Sequence, residues 1–302
     1  MEYKPLDFAA FEIHLLTLQP AENGEDSIIH CTLNHRFLVE PPPYRALSYC
    51  WGDSSDPAEI VMNGLPKPVT RELNAALKQL SASNLMTLWV DALCINQEDV
   101  LERGLQVMRM GIIYSKAEEV VVWLGDGGDG SSKILSLALD PWDGHDDRDL
   151  FKTADRDDSW GISSDILRFR ERVGNLADVR RSITALLERP YWKRVWIIQE
   201  VAKGRQLRVF CGRDSVPYDR LLHFLGVAGQ ISPQVQALQG FREGEQKTKN
   251  RPKLIKALAN TQYNLSTDPR DKIYAILGLC SDGVELVPTQ IIFRPRRKCT
   301  SM

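Results

Sequence analysis

Residues 88–125 read LWVDALCINQEDVLERGLQVMRMGIIYSKAEEVVVWLG, and this stretch decides the fold. With Thr87 in front, TLWVDALCI is a nearly continuous apolar run, the pattern of a strand covered on both faces. From Asp99 onward Leu101, Leu105, Met108 and Ile112 recur at spacings of four, three and four, which predicts a helix. EEVVVWLG (118–125) is a second buried strand, ending at a glycine-rich turn. Strand, helix and strand in succession mean parallel strands joined by a helical crossover.

Outward from this unit, RALSYC (45–50) reads as a further strand, and Thr70 to Leu80 as a helix with Leu73, Ala76, Leu77 and Leu80 on one face. The alternation from 45 to 124 predicts an α/β fold, a parallel sheet flanked by helices, to which LRVFCG (207–212) adds a strand. FEIHLLTL (11–18) and SIIHCTLNH (27–35) are N-terminal β additions, and EIVMNG (59–64) is a small strand closing on an Asn63-Gly64 turn. Residues 126–164 form an acidic insertion with a short helix near 131–139. Helical periodicity resumes near Asp165, breaks at Pro190 and runs on to Gly204. Helices dominate 218–279, around a charged loop at 241–253. The expected organisation is one domain over 1–283, with a core at about 44–212, helical elaboration at 213–280 and a disordered basic tail at 284–302.

With 38 Lys+Arg against 40 Asp+Glu the chain has no basic field to recruit nucleic acid. The cysteines, at 31, 50, 94, 211, 280 and 299, never fall two to four residues apart, so neither a zinc site nor a redox pair is indicated. Several sit in apolar runs as small hydrophobes, which suits a reducing cytosol. The N-terminus lacks the basic and long apolar regions of a signal peptide. No apolar run approaches the roughly 20 residues of a membrane span. A cytoplasmic protein without metal or cofactor is the expectation. Gly125 to Gly130 has the first spacing of a phosphate loop, but Ser131 stands where its lysine must be.

Four blocks carry a family resemblance: YRALSYCWGD (44–53), the 88–125 stretch, RPYWKRVWIIQEV (189–201) and TDPRDKIYAILGL (267–279). In this order they resemble the heterokaryon-incompatibility (HET) domain of filamentous fungi, over about residues 10–280. The resemblance implies an intracellular effector that triggers death of fused incompatible cells. HET domains are described as distantly similar to Toll/interleukin-receptor (TIR) domains, which implies a TIR-like, flavodoxin-like core. Ser48-Tyr49-Cys50-Trp51-Gly52-Asp53 is similar to the end of the first TIR strand, without the usual Arg before the glycine. Trp196 to Glu200 has the W-x-x-x-E spacing of the third TIR helix, whose Glu is catalytic in members that cleave NAD. The resemblance thus implies Glu200 as catalytic carboxylate, NAD as substrate and self-association for activity. The stretch between the preceding strand and this helix is longer than in TIR domains.

Read physically, Trp192, Trp196 and Glu200 share a helical face at i, i+4, i+8, two indoles for ring stacking beside one carboxylate for an oxocarbenium charge. In the last turn before Gly204 the helix dipole would raise the Glu200 pKa. Equally, Glu200 pairs with Lys203 or Arg194 and the tryptophans are core. Asp91 stands at the carboxyl end of a strand, where α/β sheets hold ligands, and Asn96 and Gln97 continue a polar loop. Asp91 or Asp99 instead caps the following helix, with Glu102 closing a capping box from Asp99. Arg103 either neutralises a phosphate or pairs with Asp99, and Trp51-Gly52 is a ligand rim or a turn. Asp268 and Pro269 read as a helix start, with Asp271 reaching back.

The last four residues, Cys299-Thr300-Ser301-Met302, have the form of a prenylation box behind Arg294, Arg296, Arg297 and Lys298, and only prenylation of Cys299 would bring a membrane partner. A short disordered tail is the other reading. No nucleotide-binding or repeat module accompanies the domain, so a sensor would be a separate chain. The rival to an NAD glycohydrolase is a non-catalytic death adaptor working by self-association and recruitment.

Overall fold

A computed structural model describes residues 3–20, 28–140, 171–246 and 251–286 of the 302. Among these described residues nine strands form one sheet: β1 (Glu12–Leu18), β2 (His30–Phe37), β3 (Arg45–Ser48), β4 (Pro57–Met62), β5 (Leu65–Thr70), β6 (Thr87–Trp89), β7 (Glu119–Trp123), β8 (Leu207–Cys211) and β9 (Asp214–Pro217), in the order β5-β4-β2-β1-β6-β3-β7-β8-β9. Its centre, β6-β3-β7-β8, is parallel throughout. By chain order these four run second, first, third, fourth, the doubly wound arrangement with its switch point between β3 and β7.

The expected parallel sheet is present as this centre, but the sheet as a whole is mixed. β1 is antiparallel to β6 and to β2, β2 is parallel to β4, and the β4-β5 and β8-β9 pairs are antiparallel hairpins. The parallel centre needs helical crossovers, whereas neighbouring antiparallel strands such as β4-β5 and β8-β9 can be joined by tight turns that reverse the chain. The Asn63-Gly64 turn, with φ of 54° and 78°, supplies one such reversal. Pro66 and Pro68 sit on β5 at the sheet's edge, where missing N–H groups cost nothing.

The helices are α1 (Arg71–Ala82), α2 (Asp91–Cys94), α3 (Val100–Lys116), α4 (Ser131–Leu139), α5 (Leu176–Leu187), α6 (Ile197–Lys203), α7 (Tyr218–Val227), α8 (Pro233–Gln246), α9 (Leu254–Asn260), α10 (Asp271–Leu277) and α11 (Gly283–Leu286). Leu73, Ala76, Leu77 and Leu80 of α1 are buried, and the Thr70 hydroxyl caps it by accepting from Leu73 N. The apolar run 87–95 is not one strand, because the chain turns helical at Asp91, with Leu93 N and Cys94 N both donating to Val90 O. Continuous apolarity does not distinguish a buried strand from a buried helical turn. The predicted charged loop at 241–253 is helical to Gln246, since Phe241 and Arg242 are buried against the chain. α10 begins at Asp271, not at Pro269; Asp268 accepts from Arg270 N in a lead-in turn.

α6 packs against α3, α8 and α10, while α4 packs against α5, α7 and β9. Most of the acidic insertion, and the basic tail beyond Leu286 with Cys299, lie outside the described residues. Among the described residues no helix is long and apolar enough to cross a membrane.

Candidate functional site

The carboxyl ends of β3 and β6 converge on one polar cluster under otherwise apolar cover. β3 is buried between two parallel neighbours, and its last residue, Ser48, has no exposure. Its hydroxyl donates to Glu200 Oε2 on α6, and its oxygen lies 2.8 Å from the Tyr191 hydroxyl. Tyr191 belongs to a 3-10 turn over Pro190–Lys193. Arg194, the next residue, donates to the Tyr49 carbonyl. That turn is held from beyond the core: Val195 N donates to Leu265 O at 3.0 Å, and Asn264 Nδ2 donates to Arg194 O at 3.2 Å.

Glu200 is 1% exposed. Burial pushes its pKa up from 4.5 to about 7, against the Arg194 charge and the Ser48 hydrogen bond, which both favour the ionised form. The rise was expected from the helix dipole; desolvation produces it instead, because α6 begins only at Ile197 and Glu200 sits in its first turn. Burial also works against the Arg194 charge, yet the Glu200 and Asp91 carboxylates outweigh it and raise the Arg194 pKa. The tyrosines around the cluster, Tyr49, Tyr114 and Tyr191, are held protonated chiefly by burial.

Asp91, half-buried, accepts from the Trp51 indole N–H at 2.8 Å. Its pKa is raised by burial, opposed by Arg194 and by the Trp51 bond. Trp51 itself is 43% exposed, so its indole forms part of the surface beside the cluster. The turn after it needs Gly52: φ is +75°, and a Cβ there would stand 3.0 Å from Glu72 Cγ. Gln97 Nε2 donates to Asp91 O, and Asn96 N is taken by Glu102 Oε1 at 2.8 Å. At the neighbouring strand end Arg189 donates to Leu124 O and Asp126 O, clamping the turn after β7.

The predicted residues therefore divide. Ser48, Tyr49, Trp51, Asp91 and Glu200 come together around Arg194, with Gly52 shaping the turn beside them. Asp53 is turned away, accepting from Ser55 N and Ser55 Oγ. Trp192, Trp196 and Glu200 do not share a helical face, because Trp192 lies in the 3-10 turn and Trp196 only caps α6. The Trp192 indole donates to Leu186 O inside the core. The helix that i, i+4 spacing presupposed is interrupted at Arg194, whose extended backbone (φ −73°, ψ 139°) ends the 3-10 turn before α6 begins. Asp99 caps α3, accepting from Leu101 N and Glu102 N, whereas Glu102 reaches Asn96 N rather than closing a box with Asp99. Asp91 N-caps nothing, since Val90 holds that position of α2. Arg103 donates to Gln97 O and Lys203 pairs with Glu245 at 2.6 Å, so Lys203 is not the Glu200 partner. Sequence reasoning passed over Tyr191 as a site residue and took Arg194 only as a pairing partner. Both stand within ten residues of Glu200 in the RPYWKRVWIIQEV block, and a hydroxyl and a cation so close to a motif carboxylate were the available signal.

The segment that builds this cluster is also the segment that other proteins share. The family model described as heterokaryon incompatibility protein (HET) matches residues 44–200, from the residue before β3 to Glu200 itself. The chain belongs to the HET family. It is similar to heterokaryon incompatibility protein 6, OR allele, of Neurospora crassa, 29% identical over 330 aligned positions that cover 91% of this chain and 48% of the relative. The chain thus spans about half the length of that HET protein. No solved structure matches it.

Proposed function

We propose that this HET domain is a heterokaryon-incompatibility effector whose chemistry is hydrolysis of the nicotinamide–ribose bond of NAD, with Glu200 as the catalytic carboxylate. The observation that carries the reading is a buried glutamate with its pKa raised to about 7, held by Ser48 beside the sheet's switch point. The β6-β3-β7-β8 order is the flavodoxin-like one that a TIR-like core requires, and ligands of such sheets bind at the carboxyl ends of the strands. The glycosidic bond breaks with its electron pair passing to the pyridinium nitrogen, and nicotinamide leaves neutral. The ribosyl oxocarbenium ion is stabilised by the Glu200 carboxylate and captured by water, whose proton passes to that carboxylate, leaving ADP-ribose. Trp51, exposed and tied to Asp91, offers the ring-stacking face that the sequence had assigned to Trp192 and Trp196. Arg194 offsets charge at the carboxylate. With Glu200 only 1% exposed, substrate entry requires the Trp51 turn to open, a step that self-association would drive.

A second reading has its own observation: a glutamate this buried and hydrogen-bonded is also a core strut for a domain that signals by contacts alone. The experiment that separates them is nicotinamide release from NAD by the concentrated protein beside Glu200→Gln. Release that disappears in the folded variant supports hydrolysis. Two inert proteins, with the variant still lethal on expression, would sink the catalytic reading and leave the adaptor.

A further inference from the structure

The described residues hold a second polar cluster, on the N-terminal hairpin and away from Glu200. β1 and β2 run antiparallel in a register that sets His14 opposite His35. Leu38 N donates to Phe11 O and Gln19 N to His30 O, so the paired hydrogen bonds fall on odd-numbered β1 positions and the intervening His14–His35 pair lies between them. Such non-hydrogen-bonded pairs bring opposing side chains closest together. The two imidazoles meet edge to face, centroids 4.6 Å apart and planes at 89°, with their Nε2 atoms 3.2 Å apart.

Both Nδ1 atoms face acceptors. His14 Nδ1 is 3.1 Å from the Cys94 carbonyl and 4.0 Å from Glu102 Oε1; His35 Nδ1 is 3.3 Å from Glu12 Oε2. The Nε2–Nε2 contact is a hydrogen bond whose single proton a bound ion would displace; with acceptors waiting at both Nδ1 positions, the ring protons can reside there and leave both Nε2 atoms free to converge on the ion. The two rings in this pose can serve as a bidentate nitrogen donor, and a carbonyl or carboxylate on the far ring nitrogen is the orienting partner that metal-bound histidines carry. The 3.2 Å separation is close to the roughly 3.3 Å bite of two imidazoles on a tetrahedral ion with bonds of about 2.0 Å.

The pair opens on a cavity of about 490 Å³ lined by Tyr3, Lys4, Leu33, Asn34 and Asn63, among others. Among the described residues no group of three or more His, Cys, Asp or Glu gathers round one point, so the remaining ligands would be water. We propose that His14 and His35 chelate a divalent transition metal of the zinc–copper class through Nε2, completed by solvent in this cavity. The ion clips β1 to β2, and through Cys94 O and Glu102 it braces the turn that leads into α3.

The test uses the full chain. Cu²⁺ bound at one equivalent is expected to give an electron-spin-echo or EPR signature of two imidazole nitrogens, and Zn²⁺ is expected to raise the melting temperature and compete the copper away. In His35→Gln, chosen because His35 is half-buried and its loss opens no deep core cavity, affinity falls at least tenfold and the two-nitrogen signature is lost. Glu12→Gln keeps both ligands and weakens binding by about tenfold, as loss of an orienting partner does. Unchanged affinity in His35→Gln would place the ion elsewhere and overturn the proposal. Absence of binding to the folded wild-type chain at millimolar Zn²⁺ would overturn it too.

Discussion

Glu200→Gln is expected to stabilise this protein at alkaline pH and to do little at acidic pH. Glutamine keeps an oxygen to accept from Ser48 and is neutral at every pH, so it mimics the protonated acid. In the folded chain the Glu200 pKa is about 7, against 4.5 for an unhindered glutamate. Between those values the unfolded state has already lost the proton that the native state keeps, so the unfolded state binds fewer protons and stability falls as pH rises. At about 1.4 kcal/mol per pKa unit the loss reaches about 3 kcal/mol once pH exceeds 7. Below pH 4.5 both states are protonated and the contribution is nil. Urea unfolding of wild type and variant at pH 5 and pH 8 measures the difference directly. The variant's advantage should grow by about 2–3 kcal/mol between the two. An advantage that does not change with pH would refute the raised pKa. A wild type that gains on the variant as pH rises would show Glu200 held ionised by Arg194, with the desolvation argument wrong in sign.

Other substitutions test the scaffold around the cluster. Gly52→Ala forces a left-handed backbone on a residue whose Cβ would crowd Glu72, and should cost about 1–2 kcal/mol by urea denaturation while leaving the far-ultraviolet spectrum unchanged. Arg242→Met strands the carbonyls of Val201, Gly204 and Arg205 at the end of α6, which Arg242 reaches at 3.1, 2.5 and 3.2 Å. A loss of about 3 kcal/mol is expected, with faster amide exchange in α6 before global unfolding. Asp99→Ala removes the cap of α3 and should cost about 1 kcal/mol in the same unfolding assay; a loss under a few tenths would deny the cap its role.

Much of the fold was legible because it is written in short-range pattern. α1 announces itself by four apolar residues on one face, and β7 by an unbroken valine run ending in tryptophan. The turn at Asn63-Gly64 follows from residues that tolerate positive φ. Where pattern is ambiguous the reading failed: the run 87–95 hides a strand and a helical turn, and the period-four spacing from Trp192 to Glu200 is cut at Arg194, where the backbone is extended. Residues 241–246 looked like a charged loop because a buried Arg242 cannot be distinguished from a solvated one without its acceptors.

The sequence by itself determined that the chain is a HET-type α/β domain and that Glu200, Asp91, Ser48 and the Trp51 turn belong to its shared blocks. Tertiary structure alone decided what they do to one another. Ser48 meets Glu200 across 152 positions, and Trp51 meets Asp91 across 40. No local propensity encodes such a contact, because it depends on the order in which the strands assemble. The Glu200 pKa is decided at the same level: a carboxylate's ordinary value is intrinsic, but its desolvation comes from every element packed around it. So it is with His14 and His35, which become opposite neighbours only through the β1–β2 register, where a slip of one residue would turn their side chains to opposite faces of the sheet.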